Sequence, residues 1–324
     1  MNISKMFIVF FDFFFGILLW RLCMDYNIFK ECILEALAER FGEDCKIEYK
    51  EVLKNNGIKL DGLVVRFPNK SISPTVYVND YYDRFVGGED IDDIADHIEW
   101  LIKNNSIEDD FNPESLILFE NIKDRIVYKL VNYEKNEDLL NTVPHKKFLD
   151  LAVVYYIAIK EDIFESASIL INNAHLELWG KTTEDIDKLA KVNSPKILKP
   201  ELKSMAQTLM EIIHHEKKNI DEIEEDILSD CGMYVLSNEK KQFGASAILY
   251  DNVIKDFSES LNSDLYILPS SVHEVIMIPS ILVDSVDKLN DMICEVNATQ
   301  VPLMDILSNH SYYYSRDKEC ITCA

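Results

Sequence analysis

One run of seven residues, from Leu151 to Ile157, is apolar without interruption. Successive side chains of a β-strand point to opposite faces of its sheet, so a strand with no polar position must be buried on both faces. The run therefore predicts a central strand, which we place within residues 148–159. A chain that contains such a strand has to form a layered structure around a substantial core.

Shorter strand and helix patterns surround this run. Further strands are predicted at residues 46–54, 58–67, 74–78, 125–133, 167–171, 233–237, 245–250, 264–268, 274–278 and 312–314. Helices are predicted to begin at Asp25, Tyr81, Asp90, Thr183, Pro200, Val253 and Asp284. The helix that begins at Thr183 is predicted to end before Pro195, and the helix that begins at Pro200 is predicted to end near His215. This pattern predicts an α+β fold with two lobes, each a mainly antiparallel sheet with helices packed against it.

The boundary between the two lobes is predicted at residues 216–232. Positions 216–230 carry seven acidic and two basic side chains, a composition typical of a solvated linker or helix end. The predicted lobes are therefore residues 24–215 and residues 233–324, joined by this acidic linker.

Residues 1–23 form a hydrophobic extension. The apolar stretch from Met6 to Trp20 would span only about 22 Å as a helix, short of the roughly 30 Å hydrocarbon core of a membrane, and Asp12 lies at its middle. We therefore expect the extension to lie outside the fold, with translation starting at either Met1 or Met24. The alternative is a membrane anchor formed by residues 6–20.

The charge balance excludes one class of partner. The chain has 57 acidic and 33 basic side chains, for a formal net charge of −24. Nucleic-acid binding needs a basic surface that displaces counterions from phosphates, so we predict no nucleic-acid partner. Seven cysteines without the spacing of a disulfide framework favour a reducing compartment, and the predicted location is cytoplasmic.

Common catalytic and cofactor motifs are missing from the sequence. None of the nine glycines stands in a dinucleotide-binding or phosphate-loop spacing, and neither GxSxG nor HExxH occurs. We therefore predict no bound cofactor and no metal centre, and we favour a role that is not enzymatic.

Two histidine-containing loops hold the catalytic candidates. Ser270, His273 and Glu274 lie together between two predicted strands, and a hydroxyl, an imidazole and a carboxylate could serve as nucleophile, base and orienting group. His145 precedes the central strand beside Lys146 and is a candidate proton-transfer group. Both loops are short and both need polar residues for structural reasons, so a structural turn is the preferred interpretation of each.

Cys320 and Cys323 have the spacing of half a metal site or of a redox pair. A zinc site would need two more ligands, for which His310 is the nearby candidate, and a redox pair is expected at the start of a helix. The preferred interpretation is a frayed tail. His214 and His215, at a predicted helix end, are interpreted as solvated capping residues.

Several short segments carry a family resemblance. They are LDGL at 60–63, PTVY at 74–77, PH at 144–145 with LDLAVVYY at 149–156, LWG at 178–180, MYVL at 233–236, GASAILY at 244–250, LPSSVHE at 268–274 and VN at 296–297. Over residues 25–316 the chain resembles an uncharacterised clostridial family labelled domain of unknown function 5688. From about Leu170 onward it is distantly similar to YtpQ-like proteins, which have no assigned activity. The resemblance implies a cytoplasmic bacterial protein and supplies no catalytic residue.

These patterns predict an acidic protein that binds another protein or a small molecule, in an interaction or regulatory role without catalysis. One alternative is a hydrolase-like enzyme that uses His145 or His273 with a nearby carboxylate, which requires both imidazoles to open into one pocket near an acid. Another alternative is an interaction module tethered to a membrane, which requires that residues 1–23 are retained.

Overall fold

The computed structural model of the protein describes residues 25–68, 74–104, 118–159, 168–216 and 232–324. The predicted extension at residues 1–23 and residues 217–231 of the predicted acidic linker lie outside these ranges. Among the described residues, none of the helices combines the length and the hydrophobicity needed to cross a membrane.

The chain divides into two compact units. The first consists of residues 1–54 and 59–114, and the second of residues 55–58 and 115–324. This division differs from the predicted lobes, whose boundary is at residues 216–232. The strands on either side of that segment pair with each other in one sheet of the second unit, so the acidic residues do not separate two domains.

The elements confirm the predicted α+β class. The helices are α1 (Tyr26–Phe41), α2 (Asn79–Val86), α3 (Ile91–Asn104), α4 (Phe119–Ile122), α5 (Glu137–Leu140), α6 (Asn173–Trp179), α7 (Thr183–Ile197), α8 (Met205–Glu216), α9 (Val253–Leu261) and α10 (Val286–Thr299). Short 3-10 helices lie at Asn55–Gly57, Lys123–Arg125, Glu134–Asn136, Gly244–Leu249 and Ser280–Leu282. The strands are β1 (Lys46–Leu53), β2 (Lys59–Arg66), β3 (Thr75–Tyr77), β4 (Ile126–Asn132), β5 (His145–Phe148), β6 (Leu151–Ala158), β7 (Ser168–Leu170), β8 (Pro200–Ser204), β9 (Tyr234–Asn238), β10 (Leu265–Leu268), β11 (Val275–Pro279), β12 (Tyr312–Ser315) and β13 (Cys320–Cys323).

In the first unit, α1, α2 and α3 share one core with the antiparallel sheet β1-β2-β3. Asp25 begins α1 as predicted, because its carboxylate accepts hydrogen bonds from the backbone N–H groups of Asn27 and Ile28 at 2.7 and 3.0 Å. Gly42, with a φ of +76°, ends the helix. Phe29 anchors the buried face of α1 in this core.

The predicted central strand is β6. It pairs with β4 along one edge and with β5 and β7 along the other, and its residues 151–157 are all buried. Val153 and Tyr155 belong to the large core of the second unit, whereas Ala152 and Val154 face a smaller cluster on the opposite side. The prediction of a strand buried on both faces is therefore confirmed.

The second unit also contains a six-stranded antiparallel sheet in the order β13-β12-β10-β11-β9-β8. Its inner face carries Leu236, Ile267 and Met277, which join the same core as β6. Its outer face carries Leu268, against which α10 packs through Ile293. The sheet thus has one face in the main core and one face that α10 covers in part.

One prediction that the structure overturns concerns residues 200–215. The sequence predicts one helix there, but Pro200–Ser204 form the edge strand β8 and helix α8 begins at Met205. Proline lacks a backbone N–H, which suits both the first turn of a helix and the first residue of an edge strand. Pro200 therefore does not distinguish the two structures.

The predicted strand over residues 245–250 is also wrong, because this segment is a buried 3-10 helix. Phe243 has a φ of +55°, and Gly244 lies so close to β9 that a Cβ there would come within 2.8 Å of the backbone nitrogen of Asn238. The hydroxyl of Ser246 donates to the carbonyl oxygen of Phe243 at 2.8 Å. The chain therefore turns where the sequence predicts extended backbone.

Two further boundaries differ from the predictions. Helix α7 continues through Pro195 to Ile197 instead of ending before the proline. The residues interpreted as a frayed tail form β13, which pairs with β12 through partners such as Tyr313 and Thr322. The six-stranded sheet is therefore one strand wider than predicted at that edge.

Candidate functional site

A cleft of about 370 Å³ lies on the outer face of the six-stranded sheet, between α8 and strands β8, β9 and β11. Val235 on β9 and Ile276 on β11, which are partners across the antiparallel ladder, form part of its apolar floor. Strand alternation places them there, because their neighbours such as Leu236 point into the core. Met205 and Ile212, which lie about two turns apart on one face of α8, add apolar surface to the wall.

Charged side chains form part of the rim of the cleft. Lys203 Nζ lies 2.8 Å from Glu201 Oε1 and 2.6 Å from Glu211 Oε1, and Lys241 Nζ lies 3.5 Å from Glu211 Oε2. The hydrogen bond from Lys203 lowers the pKa of Glu211, and the hydrogen bonds to Glu201 and Glu211 raise the pKa of Lys203. These two lysines and two glutamates neutralise one another.

The loop between β10 and β11 contributes Ser270 and Glu274 to the cleft. Glu274 Oε1 accepts a hydrogen bond from Ser271 Oγ at 2.8 Å, and the same hydroxyl oxygen accepts one from the backbone N–H of His273 at 2.9 Å. Within the described part of the chain, no lysine, arginine or histidine forms an ion pair with Glu274. This carboxylate therefore brings a net negative charge to the cleft.

His273, the third predicted catalytic residue of this loop, does not line the cleft. Its ring stacks on that of Phe243 with the centroids 5.7 Å apart, and its Nδ1 accepts a hydrogen bond from the Phe243 N–H at 3.3 Å. Its Nε2 lies 3.5 Å from Asp305 Oδ1. Both ring nitrogens of His273 are thus engaged by neighbours that fix the loop.

His145 does not line the cleft either. On β5 its ring lies 6.0 Å from that of Tyr133 in an edge-on contact, and its Nδ1 lies 3.1 Å from the carbonyl oxygen of Val143. The two candidate histidines therefore do not meet at this pocket, which the hydrolase alternative requires. It is the neighbour Lys146 that reaches a carboxylate, because its Nζ donates to Asp187 Oδ2 at 2.8 Å.

Asp187 is a buried carboxylate that the sequence reasoning missed. It is 5% exposed, it accepts a hydrogen bond from the Tyr155 hydroxyl at 2.9 Å, and Lys191 Nζ lies 3.2 Å away. Burial by itself would raise the pKa of Asp187, but the hydrogen bonds from Lys146, Tyr155 and Lys191 outweigh burial and lower it. On α7 it lies three positions before the buried Ala190 and seven before the buried Ser194, so the available signal was a charge on the buried face of a helix.

A second group of polar side chains brings together Asp150, His310 and Cys323. One donor atom from each, a carboxylate oxygen, an imidazole nitrogen and the sulfur, lies within 4.8 Å of the other two. Asp150 is in the tight turn between β5 and β6, and its two oxygens accept hydrogen bonds from Ser308 Oγ at 2.7 Å and from the Tyr312 hydroxyl at 2.8 Å. The sequence reasoning named His310 and Cys323 but had no signal for Asp150.

Cys320 takes no part in this group. It lies three positions before Cys323 on β13, and an odd separation in a strand directs two side chains to opposite faces. Partial burial, and then the charge of Asp150, raise the pKa of Cys323. The side chains of His214 and His215 lie outside the described residues, so their predicted capping role stays a prediction.

Comparison with known proteins identifies a family for the chain. Residues 26–316 match the model of a family described as "Family of unknown function (DUF5688)". None of the curated proteins and none of the solved structures matches the chain. The matched residues include the whole lining of the cleft, together with Asp150 and His310. The clostridial origin and the distant similarity to YtpQ-like proteins stay predictions.

Proposed function

The chain belongs to this family of unknown function, and from that premise we propose that it is a binding module whose ligand occupies the cleft on the six-stranded sheet. The proposed ligand is a small amphipathic cation. Its apolar body lies on the floor that contains Val235 and Ile276, and its positive group lies beside Glu274. The observation that carries the proposal is a cleft with an apolar floor and a carboxylate that no described cation neutralises.

The size and the lining of the cleft support a small ligand. Pockets that bind small molecules typically measure about 300–1,000 Å³ and combine apolar walls with a few polar groups, and this cleft measures about 370 Å³. The hydrophobic area of Val235 and Ile276 supplies affinity, because contact with a ligand removes it from water. The polar groups at the rim supply orientation.

The charges of the rim support a cation. Lys203 and Lys241 are paired with Glu201 and Glu211, whereas Glu274 receives a hydrogen bond from the neutral Ser271 hydroxyl. An ammonium group beside Glu274 would balance the remaining charge. The formal charge of −24 over the whole chain also favours the approach of cations over that of anions.

Binding without catalysis is favoured over the hydrolase alternative, because neither His145 nor His273 lines the cleft. The alternative of a membrane-tethered module depends on residues 1–23, which lie outside the described residues. The cytoplasmic location also belongs to the proposal.

Titration with a fluorescent amine tests the proposed function. Dansylcadaverine carries an apolar fluorophore and a primary amine, and its N-acetyl derivative lacks the positive charge. We expect the wild-type chain to bind the amine more tightly than the acetylated probe. In Glu274→Gln this preference should fall by about fivefold, since exposed ion pairs are worth up to about 1 kcal/mol.

Two tryptophan variants on α8 provide the matched comparison. Thr208 lines the cleft, and Met210 on the same helix does not. Thr208→Trp fills the cleft and should weaken both probes by at least about tenfold, whereas Met210→Trp should leave both affinities unchanged. Equal effects of the two tryptophans would overturn the cleft as the site, and equal affinity of wild type for the two probes would overturn the cationic ligand.

A further inference from the structure

We propose that Asp150, His310 and Cys323 form a transition-metal site of the zinc class, separate from the cleft. The three residues offer a carboxylate oxygen, an imidazole nitrogen and a thiol sulfur, all within 4.8 Å of one another. They come from the turn between β5 and β6, from the segment before β12, and from β13. Residues far apart in sequence thus present three donors to one point.

The donors are arranged as a triangle, which suits a metal better than a nucleophilic relay. In a relay the imidazole stands between the nucleophile and the carboxylate, so that these two groups do not meet. Here His310 Nε2 lies 3.5 Å from Asp150 Oδ2, and the sulfur of Cys323 is within 4.8 Å of both groups.

The size of the triangle agrees with zinc coordination. Zinc bonds of about 2.0–2.3 Å at tetrahedral angles separate the donor atoms by about 3.3–3.7 Å. A contraction of about 1 Å in the longest separation would therefore bring all three donors of this group into bonding distance of one ion. Two of the three side chains, Asp150 and His310, are partly buried, and Cys323 is exposed, so the site is open to an ion from solvent.

The chemistry of the donors selects the metal. Calcium and magnesium take oxygen ligands almost entirely, whereas sulfur and nitrogen donors favour zinc and related transition metals. A thiolate and a carboxylate together with a neutral imidazole also balance the two positive charges of Zn²⁺. Three protein ligands leave a fourth tetrahedral position for water or for an atom of a bound molecule, as in catalytic zinc sites.

Neighbouring groups hold the ligands in place. Hydrogen bonds from Ser308 Oγ and from the Tyr312 hydroxyl orient the two oxygens of Asp150, and Ser308 Oγ also lies 3.5 Å from Nδ1 of His310. The backbone N–H of Ala324, next to Cys323, donates to the Ser311 carbonyl oxygen at 3.1 Å. Partners of this kind fix the orientation of metal ligands in known sites.

Cobalt and zinc titrations of the full chain test the site. The reduced protein is stripped with a chelator and titrated with Co²⁺, whose bond to a thiolate gives a charge-transfer absorption in the near ultraviolet. Zinc affinity is then measured by competition with the chromophoric chelator 4-(2-pyridylazo)resorcinol. We expect one equivalent of metal, with the charge-transfer band present.

The two cysteines of β13 provide the matched variants. Cys323→Ser should remove the charge-transfer band and weaken zinc binding by more than about 100-fold, whereas Cys320→Ser should change neither. Ser308→Ala should weaken zinc about tenfold, within the 10–100-fold range of groups that hold metal ligands. Circular dichroism confirms that each variant is folded. No metal bound by the wild type, or equal binding by Cys320→Ser and Cys323→Ser, would overturn the proposal.

Discussion

The two faces of the six-stranded sheet use neighbouring residues for different purposes. On the inner face Leu236, Ile267 and Met277 are completely buried in the main core. On the outer face Val235 and Ile276, each next to one of these residues in sequence, form the floor of an open cleft. Because strand side chains alternate, one short segment can supply both stability and a binding surface. The comparison predicts that substitutions on the two faces have separable effects.

The largest effect is expected from removing core volume on the inner face. Ile267→Ala should reduce the free energy of unfolding by about 2–5 kcal/mol, because it leaves a cavity in a packed core. Ile276→Ala, the same change on the neighbouring strand at a partly exposed outer position, should cost about 1 kcal/mol. Urea denaturation of both variants measures the difference. Equal losses would show that the outer face is as important for stability as the inner one.

A smaller effect is expected from the ion network around the buried carboxylate of Asp187 on α7. Asp187→Ala leaves Lys146 without its buried carboxylate and should cost about 2–3 kcal/mol. The expected loss of unfolding free energy lies at or below the lower end of the range for broken buried ion pairs. It is small because the side chains of Lys146 and Lys191 are 38% and 65% exposed. Denaturation midpoints measured at neutral pH check this value. A change below that of Ile276→Ala would contradict the assigned role of Asp187.

The same network predicts a dependence of stability on pH. The folded protein lowers the pKa of Asp187 below the unfolded value of about 3.9. A carboxyl group with a lowered pKa stabilises the fold above the unfolded pKa, and this contribution is lost as the pH falls through the folded pKa. The difference in unfolding free energy between wild type and Asp187→Asn should therefore be constant at neutral pH and shrink below about pH 4. A difference that stays unchanged as the pH falls from 7 to 3 would show that the ionisation of Asp187 does not contribute to stability.

The smallest effect is expected at the rim of the cleft. Glu211→Gln breaks the contacts with Lys203 and Lys241. The side chain of Lys203 is partly buried at 25% exposure, while those of Glu211 and Lys241 are 38% and 59% exposed. Ion pairs as open to water as these contribute little to stability. The urea midpoint should therefore not change measurably. A clear loss of stability would mean that the ion pairs at the rim contribute to the stability of the fold, as the inner face of the sheet does.

The sequence was sufficient to predict elements whose signal is local. The apolar run of β6 predicts a strand buried on both faces, and Asp25 and Gly42 predict the two ends of α1. It was not sufficient where a residue suits two structures. Pro200 suits the first residue of an edge strand as well as the first turn of a helix. The small residues from Gly244 onward allow the chain to pass close to β9, and no local pattern in the sequence reveals that contact.

The candidate sites show the same limit. Ser270 and Glu274 were recognisable as polar loop residues, but the cleft that they line is formed by α8, which follows a strand that the sequence did not predict. Cys323 and His310 were recognisable as possible ligands, but Asp150 looks like an ordinary turn residue between β5 and β6. Its neighbours come from positions about 160 residues later, which only the tertiary fold brings near.

The shared core of the two sheets has a consequence for the synthesis of the protein. Tyr155 on β6 and Tyr312 on β12 belong to one core but lie 157 positions apart in the chain. At translation rates of about 5–20 residues per second, the ribosome needs about 8–30 s to extend the chain from the first to the second. During this interval the core that contains Tyr155 lacks the side chain of Tyr312. The core that β6 and β12 share can therefore be completed only after β12 has been made.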